Sequence, residues 1–151
     1  MAPTFDPFEG NRMTDEEVDA LLTEVGFGVL SMTDGEVPYG VPLSFGFGDD
    51  RLYFVFAAES SEGRKVTFAE RTGRGSFLAY RVNGVDDWRS VVADGPVDRI
   101  TIDEWDAARE ALADNAWHPR LFGAADPDPQ ENPRVWALAI ESKGGRKVTP
   151  E

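Results

Sequence analysis

The chain has no cysteine, which excludes disulfides, thiolate metal sites and cysteine nucleophiles. Histidine occurs once, at His118, between Trp117 and Pro119 and without a paired carboxylate motif, so neither a metal centre nor a histidine base is expected. No stretch approaches the ~18 apolar residues of a membrane-spanning helix. The start, Met1-Ala2-Pro3-Thr4-Phe5-Asp6, has neither a basic segment nor an apolar one, so no secretory signal is expected and the cytoplasm is the default compartment. Lysine is almost missing: it stands only at 65, 143 and 147, while the acids number 28 and the formal net charge is −13. Affinity for DNA or RNA rests on phosphate neutralisation, which this balance opposes, so no nucleic-acid partner is expected.

An aspartate-rich, lysine-poor surface is a common way to stay hydrated in high salt, and a halophilic, haloarchaeal source is the reading of this composition. An acidic nucleic-acid mimic, or a chain tuned only for solubility, has a similar balance. The hydrophobic content is 41%, with ten Phe and four Trp, enough for one core in one domain over residues 1–151.

Against the acidic background, Gly63 to Arg81 holds Arg64, Lys65, Arg71, Arg74 and Arg81 with a single acid, Glu70. The island opens with Ser60-Ser61-Glu62-Gly63-Arg64-Lys65, small residues running into a helical stretch. Backbone N–H groups at a helix start and two cations together suit a phosphate. The spacing is not that of a P-loop. The plainer alternative is a solvated face with ordinary ion pairs.

Residues 1–12 read as an irregular arm. Thr14-Asp15-Glu16-Glu17 is a capping box, followed by Val18, Leu21, Leu22 and Val25 at helical spacing and a stop at Gly26. Strands are expected over 27–33, 37–47, 51–57, 76–82 and 88–95, the last continuing past Pro96 to about 100, with Asp34-Gly35 as a hairpin signal. Pro38 and Pro42 cannot donate to a ladder, so part of the second strand must be an edge or a bulge. A short helix is expected over 63–71. Thr101-Ile102-Asp103-Glu104 caps another, running to about 113. Residues 114–134 form a long loop broken by prolines, 135–140 a last strand, and 142–151 a flexible basic tail. Consecutive antiparallel strands joined by short turns, with helices at the seams, predict a small closed or split barrel and disfavour a doubly wound parallel sheet.

Two further segments stand out. Pro38-Tyr39-Gly40-Val41-Pro42-Leu43-Ser44 leaves strand backbone groups free to bond the edge of a planar heterocycle, or is simply a proline-protected edge. Trp88-Arg89-Ser90-Val91 suits either packing or a site. Ser44 and Ser90 belong to no triad motif, and no residue is marked as a dedicated acid or base, so the catalytic residues are unknown.

Taken together, Gly26-Phe27-Gly28-Val29-Leu30-Ser31, Pro38 to Phe45, Leu52-Tyr53-Phe54-Val55-Phe56, Gly63-Arg64-Lys65 and Trp88-Arg89-Ser90-Val91 with Gly95 resemble the pyridoxamine 5′-phosphate oxidase-like flavin-binding family. The likeness runs from about Met13 to Ser142 and is greatest to its small single-domain branch, which includes the nitroimidazole-resistance proteins. It implies a mainly β fold with flanking helices, an antiparallel Greek-key split β-barrel, and a homodimer with FMN at the interface. Carried over by position, Arg64 and Lys65 would bind the FMN phosphate. Val41, Pro42, Leu43 and Ser44 would line the ring with backbone groups, beside Phe56 and Ala57. Arg89, Ser90 and Val91 would reach the flavin from the other subunit or the pocket wall. The basic substrate-binding residues and the C-terminal segment that grip pyridoxamine phosphate in the true oxidases have no counterpart. The resemblance thus implies a flavin-dependent oxidoreductase of another small molecule, with a non-catalytic flavin-storing protein or a deazaflavin-dependent reductase as alternatives.

Overall fold

A computed structural model of the protein describes residues 10–55, 73–115 and 135–150. Its elements are β1 (Asn11–Arg12), α1 (Asp15–Val25), β2 (Phe27–Thr33), β3 (Pro38–Gly48), β4 (Arg51–Val55), β5 (Arg74–Gly84), β6 (Asp87–Arg99), a 3₁₀ turn (Ile102–Glu104), α2 (Trp105–Asn115), β7 (Val135–Ala139) and β8 (Ser142–Val148).

Every strand pairing is antiparallel. The order is β1-β8-β6-β5-β2-β3-β4-β7, and a further β6–β7 pairing closes β6-β5-β2-β3-β4-β7 into a ring. This is the split β-barrel. Two long strands make the split, because each changes partner along its length. β3 pairs with β2 from Pro38 to Ser44 and with β4 from Phe45 to Gly48. β6 pairs with β8 from Trp88 to Asp94 and with β7 from Val97 to Arg99. Pro38 and Pro42 fall where β3 has β2 on one side and no described strand on the other, so neither breaks a ladder on its free edge.

Glycines sit where two backbones must touch. A Cβ at Gly95, where β6 leaves β8 for β7, would run into the Ala139 carbonyl oxygen. A Cβ at Gly46 would strike the backbone of α2 at Ala111. The β3–β4 turn instead puts Asp49 and Asp50 in the left-handed region, at φ 51° and 56°. Aspartate tolerates that conformation better than most residues do.

Inward-facing residues alternate along the strands and fill the barrel with Leu30, Val41, Leu43, Phe45, Leu52, Phe54, Phe77, Ala79, Val91, Ala93 and Val97. The Phe45 and Phe77 rings meet edge to face with centroids 4.8 Å apart. Helix α1 adds Val18, Leu21, Leu22 and Val25 to this cluster. Its capping box forms as expected: Glu17 N–H donates to Thr14 Oγ1 at 3.2 Å, and Thr14 N–H donates to Glu17 Oε1 at 3.0 Å. Gly26 ends the helix at φ 70°. A second cluster, Tyr53, Val55, Ala108, Ala111, Leu112, Val135 and Ala137, joins α2 to the outer side of β4 and its neighbour β7, and α2 also lies directly on β3 at Gly46.

One expectation is corrected. Ser142–Val148 is a strand and not a flexible tail. Its glycines and lysines carry little strand propensity, and the pairing with β6 supplies what propensity does not. Lys143 and Lys147 then reach α1, at Asp19 and Glu17. Residues 11–12 of the expected arm are likewise paired, with Lys147 and Arg146. The expected helix over 63–71 and most of the loop over 114–134 lie outside the described residues. No described helix is long and apolar enough to cross a membrane.

Candidate functional site

The strand registers lay the outer face out in rows. Pro42 pairs with Val29, Val29 with Leu78, Leu78 with Val92, and Val92 with Gly144. A neighbouring row runs Tyr80, Ser90, Arg146, Arg12. The row beyond runs Val82, Trp88, Val148. Helix α2 covers the outer face of β4 and β7, and no described helix covers these rows. Leu78, Tyr80, Val82 and Val92 are 36%, 43%, 66% and 42% exposed. A contiguous apolar patch of this kind marks an interaction or ligand surface.

The expected site residues divide on this frame. Pro42 and Ser90 face outward onto the rows. Val41, Leu43 and Val91 point into the barrel core, at 6%, 2% and 0% exposure, so their side chains are turned away from the outer face; the backbones of Val41 and Leu43 bond to β2, and Val91 is flanked by β5 and β8. Ser44 is buried, and its hydroxyl donates to the Gly26 carbonyl at 3.2 Å. Arg89 is half-buried on β6, opposite Lys147. Phe56, Ala57, Arg64 and Lys65 lie outside the described residues. Between Pro42 on β3 and the β6 segment holding Ser90 stand β2 and β5. Three strand spacings of about 4.8 Å put the two groups roughly 14 Å apart along the sheet. One chain therefore does not bring the β3 and β6 halves of the expected site together.

Two members of the basic island are described, and both are in ion pairs. Arg74 meets Glu141 at 2.5 Å, and Arg81 meets Glu24 at 3.2 Å. For these two the plainer alternative holds. Among the described residues, no group of three or more His, Cys, Asp or Glu is placed to hold a metal.

Sequence reasoning missed Val29, Leu78, Tyr80 and Val92, which make up the centre of the open face. The alternation Leu78, Tyr80, Val82 was readable as one face of a strand. Which face a helix would leave bare was not. It also missed a groove of about 480 Å³ where β1 ends beside β8, lined by Arg12, Asp15, Ser90, Val92, Lys143 and Arg146 among others.

The sequence profile of the pyridoxamine 5′-phosphate oxidase family matches residues 14–147, nearly the whole chain, and the protein belongs to that family. No curated protein sequence matches it. Among solved structures it is similar to an FAD-binding protein from Mesorhizobium loti, with 23% identity and a TM-score of 0.73 over 92% of this chain and 98% of that one. A candidate 5-nitroimidazole antibiotic resistance protein from Bacteroides thetaiotaomicron matches at 19% identity and TM-score 0.68, over 89% and 85% of the two chains. An FAD and heme binding protein from Mycobacterium smegmatis matches at 19% and 0.66, over 91% and 74%. At such identities the likeness establishes the fold, and what these proteins bind is a property of theirs.

Proposed function

We propose that the protein binds a flavin, FMN, as a homodimer, and acts as a flavin-dependent oxidoreductase on a small molecule. The observation that carries this reading is the outer face of β2, β5 and β6, which no described helix covers. It is apolar, open and flanked at its two ends by the β3 and β6 segments that the family resemblance assigns to the flavin. A second copy, laid face to face by a two-fold axis, would set the partner's β6 segment against this chain's β3. That arrangement supplies both halves of the site, which a single chain keeps apart. It also covers Leu78 and Val92, exposed in one chain alone.

The residues present fit such a ligand. Pro42 has no N–H and faces the free edge together with Gly40, so on that edge the Pro42 carbonyl and the Gly40 backbone groups are open to a flat heterocycle, while Val41 and Leu43 bond back to β2. Val29 and Leu78 give an apolar bed, and Ser90 a hydroxyl at its rim. Arg64 and Lys65 are the cations assigned to the phosphate. Bound flavin would supply the redox chemistry, and the protein its position, electrostatics and shielding from water. The small single-domain branch of the family, with its nitroimidazole-resistance proteins, is the functional setting of this reading. The acidic, lysine-poor surface supports a halophilic source.

The test is an absorbance spectrum of protein purified in high salt, with release and mass identification of any chromophore. Bands near about 375 and 450 nm with FMN released support the reading. FAD or a deazaflavin in the released fraction changes the cofactor, and a protein that neither carries nor takes up flavin ends it. Turnover with a reductant and an acceptor separates an oxidoreductase from a flavin store. Arg64→Ala with Lys65→Ala should weaken FMN binding by about 2 to 5 kcal/mol in salt-matched buffer.

A further inference from the structure

The outer row that begins at Tyr80 and Ser90 ends in two arginines. Arg12 on β1 and Arg146 on β8 are direct register partners, so their side chains rise from the same face next to each other. Ser90 is the register partner of Arg146 on its other side. Like charges directly opposite on antiparallel strands repel. In a chain of net charge −13, an acid opposite either arginine would be the ordinary solution. None is there: among the described residues neither arginine has an ion-pair partner. Five other described cations are committed, with Arg51 to Glu104, Arg74 to Glu141, Arg81 to Glu24, Lys143 to Asp19 and Asp50, and Lys147 to Glu17, while Arg89 and Arg109 stand elsewhere, outside this groove.

The pair also borders space. The groove of about 480 Å³ is lined by both arginines and Ser90. Its floor includes Gly144, where an added Cβ would meet nothing within 4 Å. Two guanidinium forks and a hydroxyl that can donate border this groove, the chemistry that recognises an oxyanion. Asp15 also lines the groove, in the first turn of α1, and opposes the arginines.

We infer that Arg12 and Arg146, with the Ser90 hydroxyl, form a second oxyanion site, separate from Arg64 and Lys65, that takes a phosphate or carboxylate group of a small ligand. The site stands whether or not the open face takes a flavin. Its position in the same row as Ser90 places the anion at the border of that face.

The experiment is calorimetric titration of the full-length protein with inorganic pyrophosphate and, separately, with malonate. Ionic strength is held fixed with chloride, because both arginines are exposed and salt screens them. Wild type is expected to bind at least one of the two, and the tighter one names the source as phosphate or carboxylate. Arg12→Gln with Arg146→Gln should weaken that binding at least tenfold. Asp15→Asn should tighten it, by removing the opposing charge. Arg12→Lys with Arg146→Lys keeps both charges and loses the forks, so it should bind more weakly than wild type even if the glutamine pair folds poorly. Equal binding by wild type and both double variants overturns the site, as does no binding of either anion by wild type. FMN titrated into the same samples reports on the flavin separately. Pyrophosphate or malonate bound without FMN removes only the flavin, and FMN bound with the anion response unchanged by the variants removes only this site.

Discussion

Lys143 Nζ lies 2.7 Å from Asp50 Oδ1 and, with the same ammonium, 2.7 Å from Asp19 Oδ1. One lysine of three in the chain thus ties β8 to the β3–β4 turn and to α1. The turn it holds is the one with Asp49 and Asp50 at positive φ, and the Asp50 carbonyl also accepts from Ile140 N–H at 2.9 Å. Lys143→Met keeps the alkyl stem and removes the charge. It should cost about 1 kcal/mol, since both carboxylates stay solvent-accessible after the loss. Chemical denaturation in high salt measures it, and a variant as stable as wild type would remove the clamp.

The two lysine–carboxylate contacts of α1 make opposite pH predictions. Glu17 accepts from Lys147 and from the Thr14 N–H, and its carboxyl is lowered from 4.5 to about 2. A depressed acid contributes stability above its unfolded pKa, and that contribution drains as pH falls from about 4.5 towards 2. For Lys143, burial pushes the ammonium down, but the bonds to Asp19 and Asp50 outweigh burial and raise it above 10.5. Its contribution is whole below the unfolded value and is lost as pH rises beyond 10.5. Glu17→Gln should therefore narrow its stability gap to wild type only on the acid limb, and Lys143→Met only on the alkaline limb. Denaturation midpoints against pH, taken as differences from wild type, test both.

Gly95→Ala should be among the costliest single changes. The new methyl meets the Ala139 carbonyl oxygen, a backbone atom of β7 that cannot swing away. Relieving the clash means parting β6 from β7 at the point where the ring closes. A loss of about 3 kcal/mol or more is expected. A thermal melt within a degree or two of wild type would mean that β6 does not cross to β7 at Gly95.

Leu78→Asp tests the proposed dimer without disturbing the barrel, because Leu78 points outward. A charge in the middle of a face-to-face apolar interface costs several kcal/mol when desolvated. Light scattering behind size exclusion should show wild type at twice the chain mass and the variant as a monomer with an intact circular dichroism spectrum. A dimeric Leu78→Asp protein would move the interface elsewhere, and with it the meeting of the β3 and β6 segments.

The fold was largely legible from local patterns. Thr14 and Glu17 announced α1, Asp34-Gly35 announced the β2–β3 hairpin, and the unbroken apolar run Leu52-Tyr53-Phe54-Val55 announced β4, which is buried on both faces. The prolines at 38 and 42 correctly marked a free edge. β8 was not legible, because Ser142-Lys143-Gly144-Gly145-Arg146-Lys147 has the composition of a tail and becomes a strand only through its neighbours. Of the expected site residues, Pro42 and Ser90 face the surface, whereas Val41, Leu43 and Val91 turn inward and Ser44 is held by Gly26. Motif matching names segments, and strand pleat decides which residues in them point to a ligand.

By itself the sequence determined that the chain forms no disulfides, packs a phenylalanine-rich core, is strongly acidic, and runs as antiparallel strands punctuated by two capped helices. These follow from composition and from contacts a few residues apart. Only the tertiary structure decided that β3 and β6 each change partner along their length, that α2 packs on one part of the barrel's outer face while no described helix covers the rows through Leu78 and Val92, and that Arg12 meets Arg146. Those depend on which distant strands pair and in what register, and a register is set by the burial of a whole face at once, which no local stretch of residues encodes.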